Sequence, residues 1–197
     1  MAAERQRRKV DTASRILDVA ERIVQTRGFN GFSYADVAAE LKITKAGLHY
    51  HFAGKAELGE ALIARYAARF AEALASVDER RVDARAKLDA YARLYSDVLR
   101  DKRMCLCGML AAEYRTLPKR MRDAVVRFFE DNEAWLEGVL EQGRAEGTLR
   151  FAGSARDVAR MIVSGLEGAM LIARPYEDVA RFRAAASRLL AGLAAAE

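Results

Sequence analysis

Residues 47–52 read "GLHYHF", which puts both histidines of the chain and a tyrosine within six residues. Paired imidazoles can hold a metal, move a proton, or offer donors and acceptors to a partner such as DNA. On a helix His49 and His51 would point about 160° apart, and no third histidine exists to join them, so a metal site is not expected. An all-α enzyme finds little support: there is no phosphate-cradling glycine loop, no nucleophile with a base nearby in sequence, and no metal-ligand set. Cys105 and Cys107 are the other reactive pair. If helical, they project to nearly opposite faces, so a bond between them would be strained. Each thiol is either a sensor, acidified by Lys102 and Arg103, or a small buried hydrophobe.

The elements that must position these groups read as helices. Ile16, Leu17, Ala20, Ile23 and Val24 keep a 3.6-residue period, and Gly28 stands where a helix is capped, which gives a first helix over about 11–27. Ser33 with Asp36 forms an N-terminal box that opens a short helix ending near Leu41. Thr44 caps a third helix, "KAGLHYH". Two short helices joined by a tight turn over 33–51 outline a helix-turn-helix. On the third, Leu48 faces inward while Lys45, Ala46, His49 and Tyr50 form an outward strip that a major groove admits. Lys55 and the hydroxyls of Ser33, Tyr34 and Thr44 are placed for phosphates.

The stretch "GFNGFSYADVAAELKITKAGLHYHFAGKAEL" resembles the DNA-binding segment of the TetR family of one-component transcriptional regulators. The resemblance is close over about residues 10–60 and rests on Ser33, "DVA", "KITKA", "HYHF" and "KAEL". It departs from the family pattern at Lys42, where a turn glycine is usual, and at Ala56, which separates Lys55 from Glu57. It implies DNA contacts by Ser33, Tyr34, Thr44, Lys45, Ala46, Gly47, His49, Tyr50, His51 and Lys55. It also implies a ligand-responsive repressor, without a cofactor, that binds an inverted-repeat operator as a homodimer.

A long fourth helix from Lys55 to about residue 76 is followed by five more helical segments, so the fold class expected is all-α with about nine helices. The expected domains are a DNA-binding headpiece, 1–55, and an effector-binding and dimerisation domain, 56–197. Candidate pocket residues are Tyr91, Tyr95, Met104, Cys107, Met109, Tyr114, Phe128, Phe129, Trp135, Met161 and Met170, each also a plain core residue by its spacing, with Glu113, Glu167 or Arg174 as a polar anchor. Small residues at Ser164, Gly165, Gly168 and Ala169, and in the last helix, suit close packing between two chains.

Charge adds to this reading. Net charge is +5, and residues 1–55 hold ten Lys/Arg against six Asp/Glu while the rest hold 23 against 22. An excess concentrated at one end suits a polyanion partner. With no apolar leader and no 18-residue apolar run, the expectation is a cytoplasmic protein with no membrane partner. A helical scaffold with an unspecific basic surface is the remaining alternative.

Overall fold

Helix α1 (Ala2–Arg27) buries Ile16, Ala20, Ile23 and Val24 along one face, as their spacing demands. The computed structural model describes residues 2–193, with side chains from residue 11 onward. The basic run at residues 5–9 therefore lies outside the described side chains. α1 begins well before residue 11, because the Ala, Glu, Arg, Gln and Lys ahead of it are all good helix formers and nothing among them stops a helix. Gly28 ends it in the left-handed region, φ +83°, and its N–H donates to the Val24 carbonyl at 2.9 Å.

Helices α2 (Tyr34–Leu41) and α3 (Lys45–His51) follow, then α4 (Lys55–Glu79), α5 (Ala84–Arg100), α6 (Leu106–Ala112), α7 (Lys119–Ala145), α8 (Ala155–Ala173) and α9 (Val179–Ala191). Single 3-10 turns occupy Tyr114–Thr116 and Arg174–Tyr176. The fold is all-α, with nine α-helices among the described residues. Pro118 stands just before α7, and its carbonyl accepts from Arg122 N–H at 3.1 Å.

The chain divides into two compact units, Met1–Ala67 with Leu106–Val125, and Ala68–Cys105 with Val126–Glu197. This division differs from a cut at residue 55. The first unit keeps the start of α4 and takes in a second piece of chain containing α6 and the start of α7. Two contacts explain that membership. The Glu113 carboxylate accepts from the backbone N–H groups of Phe29 and Asn30 at 2.7 and 3.1 Å. Gly59 of α4 gives room to Met121 of α7, whose Cε and Sδ would lie 2.5 Å from any Cβ placed there. Arg65 of α4 adds ion pairs to Asp18 and Glu21 of α1 at 2.7 and 2.9 Å.

In the second unit α8 and α9 pack closely because Gly165 leaves space for Leu189, which would lie 2.7 Å from a Cβ at residue 165. Tyr91 and Leu88 of α5, Leu136 and Leu140 of α7, and Leu166 and Met170 of α8 are fully buried and fill this core.

Lys42, between α2 and α3, takes the left-handed conformation at φ 55°, and Ile43 N–H closes the turn on the Ala38 carbonyl at 3.0 Å. A residue with a Cβ is penalised there. Lys42→Gly is therefore expected to stabilise the protein by about 0.5–1 kcal/mol, read as a rise in urea midpoint at unchanged slope.

Candidate functional site

The second and third helices are held by caps of two kinds. The Asp36 carboxylate accepts from both the backbone N–H and the hydroxyl of Ser33, each at 2.7 Å, and these bonds hold its carboxyl below the usual range. Thr44 Oγ accepts from Gly47 N–H at 3.0 Å. Beneath α3, Leu48 is completely buried, and Phe52 is buried just past its end. Anchored from below in this way, α3 turns Lys45, Ala46, His49 and Tyr50 outward, with Tyr50 63% exposed. Gly47 is half-buried, close to Thr44, and His51 is half-buried with its ring edge-on to Tyr50 at 5.3 Å.

Three of the residues expected to meet phosphates have work inside the unit. Tyr34 donates its hydroxyl to the Phe52 carbonyl at 3.0 Å and lays its ring against His49 at 4.7 Å, bracing α2 on α3. Burial pushes its phenol up to about 12. The Lys55 ammonium lies over the rings of Phe29 and Phe32, at 4.7 and 4.5 Å, and burial lowers its pKa. It points inward, where the sequence suggested an outward cation, because two aromatic faces offer it more than water does. Ser33 donates to Asp36, while the hydroxyl proton of Thr44 stays available after its oxygen has capped α3. The outward surface thus narrows to Thr44, Lys45, Ala46, His49 and Tyr50, flanked by Ser33 and His51.

The candidate pocket residues are divided between the two units. Cys107, Met109, Glu113 and Tyr114 belong to the first unit. Glu113 is committed to the corner after α1, and Tyr114 is exposed with the Arg122 guanidinium 5.7 Å from its ring centre. Met161 and Arg174 face outward from α8 and its end, so neither is an interior group. In the second unit Tyr91, Tyr95, Met104, Phe128 and Met170 are buried, and Phe129 and Trp135 are half-buried. Phe70 packs edge-on against Tyr91, Tyr95 and Phe128, at 6.0, 6.1 and 5.3 Å. Trp135 stacks on Tyr91 at 5.8 Å and donates to Asp78 at 2.9 Å.

Neither cysteine is in a disulfide, and both are buried. The cations expected to acidify them are engaged: Lys102 pairs with Glu177 at 2.8 Å and Arg103 with Asp101 at 2.6 Å. Cys105 instead hydrogen-bonds to the Glu167 carboxylate.

Residues 16–62 match the family model described as bacterial regulatory proteins, tetR family, and residues 84–189 match the tetracyclin repressor-like C-terminal domain. The chain belongs to the TetR family. Two solved structures are each 32% identical to this TetR-family protein. A transcriptional regulator from Agrobacterium tumefaciens superposes with a TM-score of 0.91, over 95% of this chain and 100% of that one. A regulator from Legionella pneumophila gives 0.80 over 91% and 95%. The transcriptional regulator AcuR of Cereibacter sphaeroides is 25% identical over 155 residues, 75% of this chain and 69% of its own. As a TetR-family member the protein is a DNA-binding transcriptional regulator, and among its described residues no helix is long and apolar enough to cross a membrane.

Sequence reasoning missed several residues of this regulator. Glu57 caps the start of α4 by accepting from Ala53 N–H at 2.7 Å. Asn132 is buried on α7, accepts from Tyr91 at 3.1 Å, and donates to the Phe128 carbonyl at 2.7 Å. An asparagine at an inward position of an otherwise apolar helix face was the available signal, since a buried amide needs partners.

Proposed function

We propose that this protein is a ligand-responsive repressor that binds an inverted-repeat operator as a homodimer. The observation that carries the reading is the outward strip of Lys45, Ala46, His49 and Tyr50 on a seven-residue helix capped at Thr44 and seated on Leu48. A seven-residue helix reads only a few base pairs, so specificity asks for a second copy on a second half-site, about 34–36 Å away centre to centre. Thr44, Lys45, Ala46, Gly47, His49 and Tyr50 meet DNA directly. Ser33 and His51 meet flanking phosphates, while Tyr34 and Lys55 hold the reading helix in place. The protein works in the cytoplasm, through a binding equilibrium rather than a reaction.

The dimer forms through α8 and α9. Met161, Ser164, Gly168 and Ile172 lie along one side of α8 at helical spacing, and with Leu171 they make an exposed stripe, apolar but for the serine. Gly168 has open space where its Cβ would be, whereas Gly165 serves the α8–α9 contact within the chain. Exposed apolar stripes of this kind mark interfaces. Ile172→Glu is expected to give a monomer in sedimentation velocity at micromolar concentration, with operator affinity down at least tenfold and helical content unchanged.

The aromatic interior around Tyr91, Tyr95, Phe128, Trp135 and Met170 takes a small effector, which favours a conformation whose α4 carries the headpieces out of register. Such an effector releases the operator only to the extent that it binds the two conformations unequally. The test is selection of genomic fragments by the purified protein at physiological salt. Enrichment of one inverted repeat supports the repressor reading, while uniform weak recovery leaves only a basic surface and sinks it.

A further inference from the structure

Glu167 of α8 is half-buried, with one carboxylate oxygen fully enclosed and uncompensated. Its Oε1 is buried and accepts no hydrogen bond, while the Cys105 thiol hydrogen-bonds to the carboxylate group. Burying a carboxylate in this way is costly, and the usual outcome is a protonated acid or a paired one. Burial does push its acid up to about 7.

The surrounding polar groups cannot satisfy the orphan oxygen by simple rotation. Tyr91 donates to Asn132 Oδ1 at 3.1 Å. The Tyr91–Tyr95 hydroxyl contact at 3.1 Å must then use the Tyr95 proton. Asn132 in turn donates to the Phe128 carbonyl at 2.7 Å. Both phenol protons are therefore committed within a closed chain, and the Cys105 N–H is spent on Met170 Sδ at 3.2 Å. The charged groups nearby are few. On α7 Glu133 pairs with Arg160 of α8 at 3.5 Å, so that arginine is engaged as well. Tyr91 and Tyr95 of α5, Cys105 ahead of α6, and Glu133 of α7 are the titratable groups whose fields meet here. None of them brings a positive charge to Glu167.

We infer that Glu167 is the anchor of an ammonium-recognition site, in which a small organic cation with a flat apolar body sets its N–H on the orphan Oε1 near Tyr91 and Tyr95. This rests on the reading of the second unit as effector-binding and names the chemical class of the effector. An anion would add a second negative charge beside a buried carboxylate. A neutral donor would satisfy the lone pair but leave the charge unbalanced, which an amide or hydroxyl in place of Glu167 would avoid at lower desolvation cost. A cation answers both needs, and nearby aromatic rings favour it further.

The acid is about one-tenth ionised at pH 6 and nine-tenths at pH 8, given its titration near 7. A cation that needs the ionised form thus binds about tenfold more tightly at pH 8, while a neutral donor loses most of that dependence.

The chain has a single tryptophan, Trp135, stacked on Tyr91, so its fluorescence reports occupation. The full-length protein is titrated with benzylammonium chloride, benzyl alcohol and sodium benzoate at pH 6 and pH 8, with operator release measured in parallel. Saturable quenching by benzylammonium, about tenfold tighter at pH 8, is expected, and Glu167→Gln should lose at least tenfold in affinity together with the pH dependence. Glu167→Leu, which removes the buried charge and should raise Tm, must show the same loss and decides the matter if the Gln variant unfolds. Unchanged affinity in a folded variant, a preference for benzoate, or no binding of benzylammonium overturns the proposal. Quenching and operator release by benzyl alcohol or benzoate alone would overturn the ammonium class and leave the effector reading standing. The effector reading falls separately, if no compound in a broad small-molecule screen changes operator affinity.

Discussion

Lys45→Ala and Tyr50→Ala are each expected to weaken operator binding by about 30-fold or more, with Tm unchanged. Each contact of this kind contributes about 1–3 kcal/mol, and a dimer loses it twice. Both side chains are exposed, and Leu48 beneath them supplies the packing, so a truncation on the outer face leaves stability within about 0.5 kcal/mol. The two variants should differ in character. If Lys45 reaches a phosphate, its loss lowers the salt slope by about 1 per headpiece and weakens all sequences alike; if it reads a base edge, discrimination falls at one position of each half-site. Tyr50→Phe separates the hydroxyl from the ring: wild-type affinity in that variant assigns the contact to the ring, and the loss seen with Ala assigns it to the hydroxyl. Gel-shift titrations at several salt concentrations measure all of this, and operator affinity in both alanine variants equal to wild type would remove α3 as the reading helix.

Glu113→Ala is expected to cost about 2–4 kcal/mol of stability, measured by urea unfolding. The carboxylate takes the N–H groups of Phe29 and Asn30, which follow the end of α1 and would otherwise be left to water. Hydrogen bonds to charged acceptors contribute about 1.5–3 kcal/mol each, and the half-buried setting puts this pair toward the low end. Asn30 adds a second tie, its side-chain amide donating to Thr116 at 2.7 Å. Glu113→Gln keeps an acceptor oxygen and loses the charge, so about half the effect should remain. An alanine variant within about 0.5 kcal/mol of wild type would show that the packing of Met121 on Gly59 holds the segment without Glu113.

Much of the headpiece was legible because its signals are local. Ser33 and Asp36, Thr44 and Gly28 announce helix ends through chemistry within four residues, and Leu48 declares its face by period alone. The end of α1 follows from the same kind of reading. What was not legible depends on groups far apart in sequence. Nothing near Lys55 says that its ammonium will settle over Phe29 and Phe32 instead of facing a phosphate. Nothing near Glu113 points to a backbone corner more than eighty residues earlier. Tyr34 has the composition of a surface phenol and becomes a strut only because Phe52 presents a carbonyl to it. For the pocket residues, spacing told apolar positions from polar ones but not which unit each would join, and Cys107, Met109, Glu113 and Tyr114 fall in the first unit.

The first unit is assembled from two separated pieces of chain, and this has a consequence for biosynthesis. When residue 67 has been translated, its second piece does not yet exist. At about 5–20 residues per second, the roughly 60 further residues needed to reach Val125 take about 3–12 s. During that interval the nascent α1–α4 segment lacks both Glu113 and Met121, so the N–H groups of Phe29 and Asn30 have no carboxylate to bond and the α4 face at Gly59 lacks its methionine. The unit that carries the reading helix is thus completed only when α7 has begun, and slowing translation between α4 and α7 should lengthen its exposure to proteases.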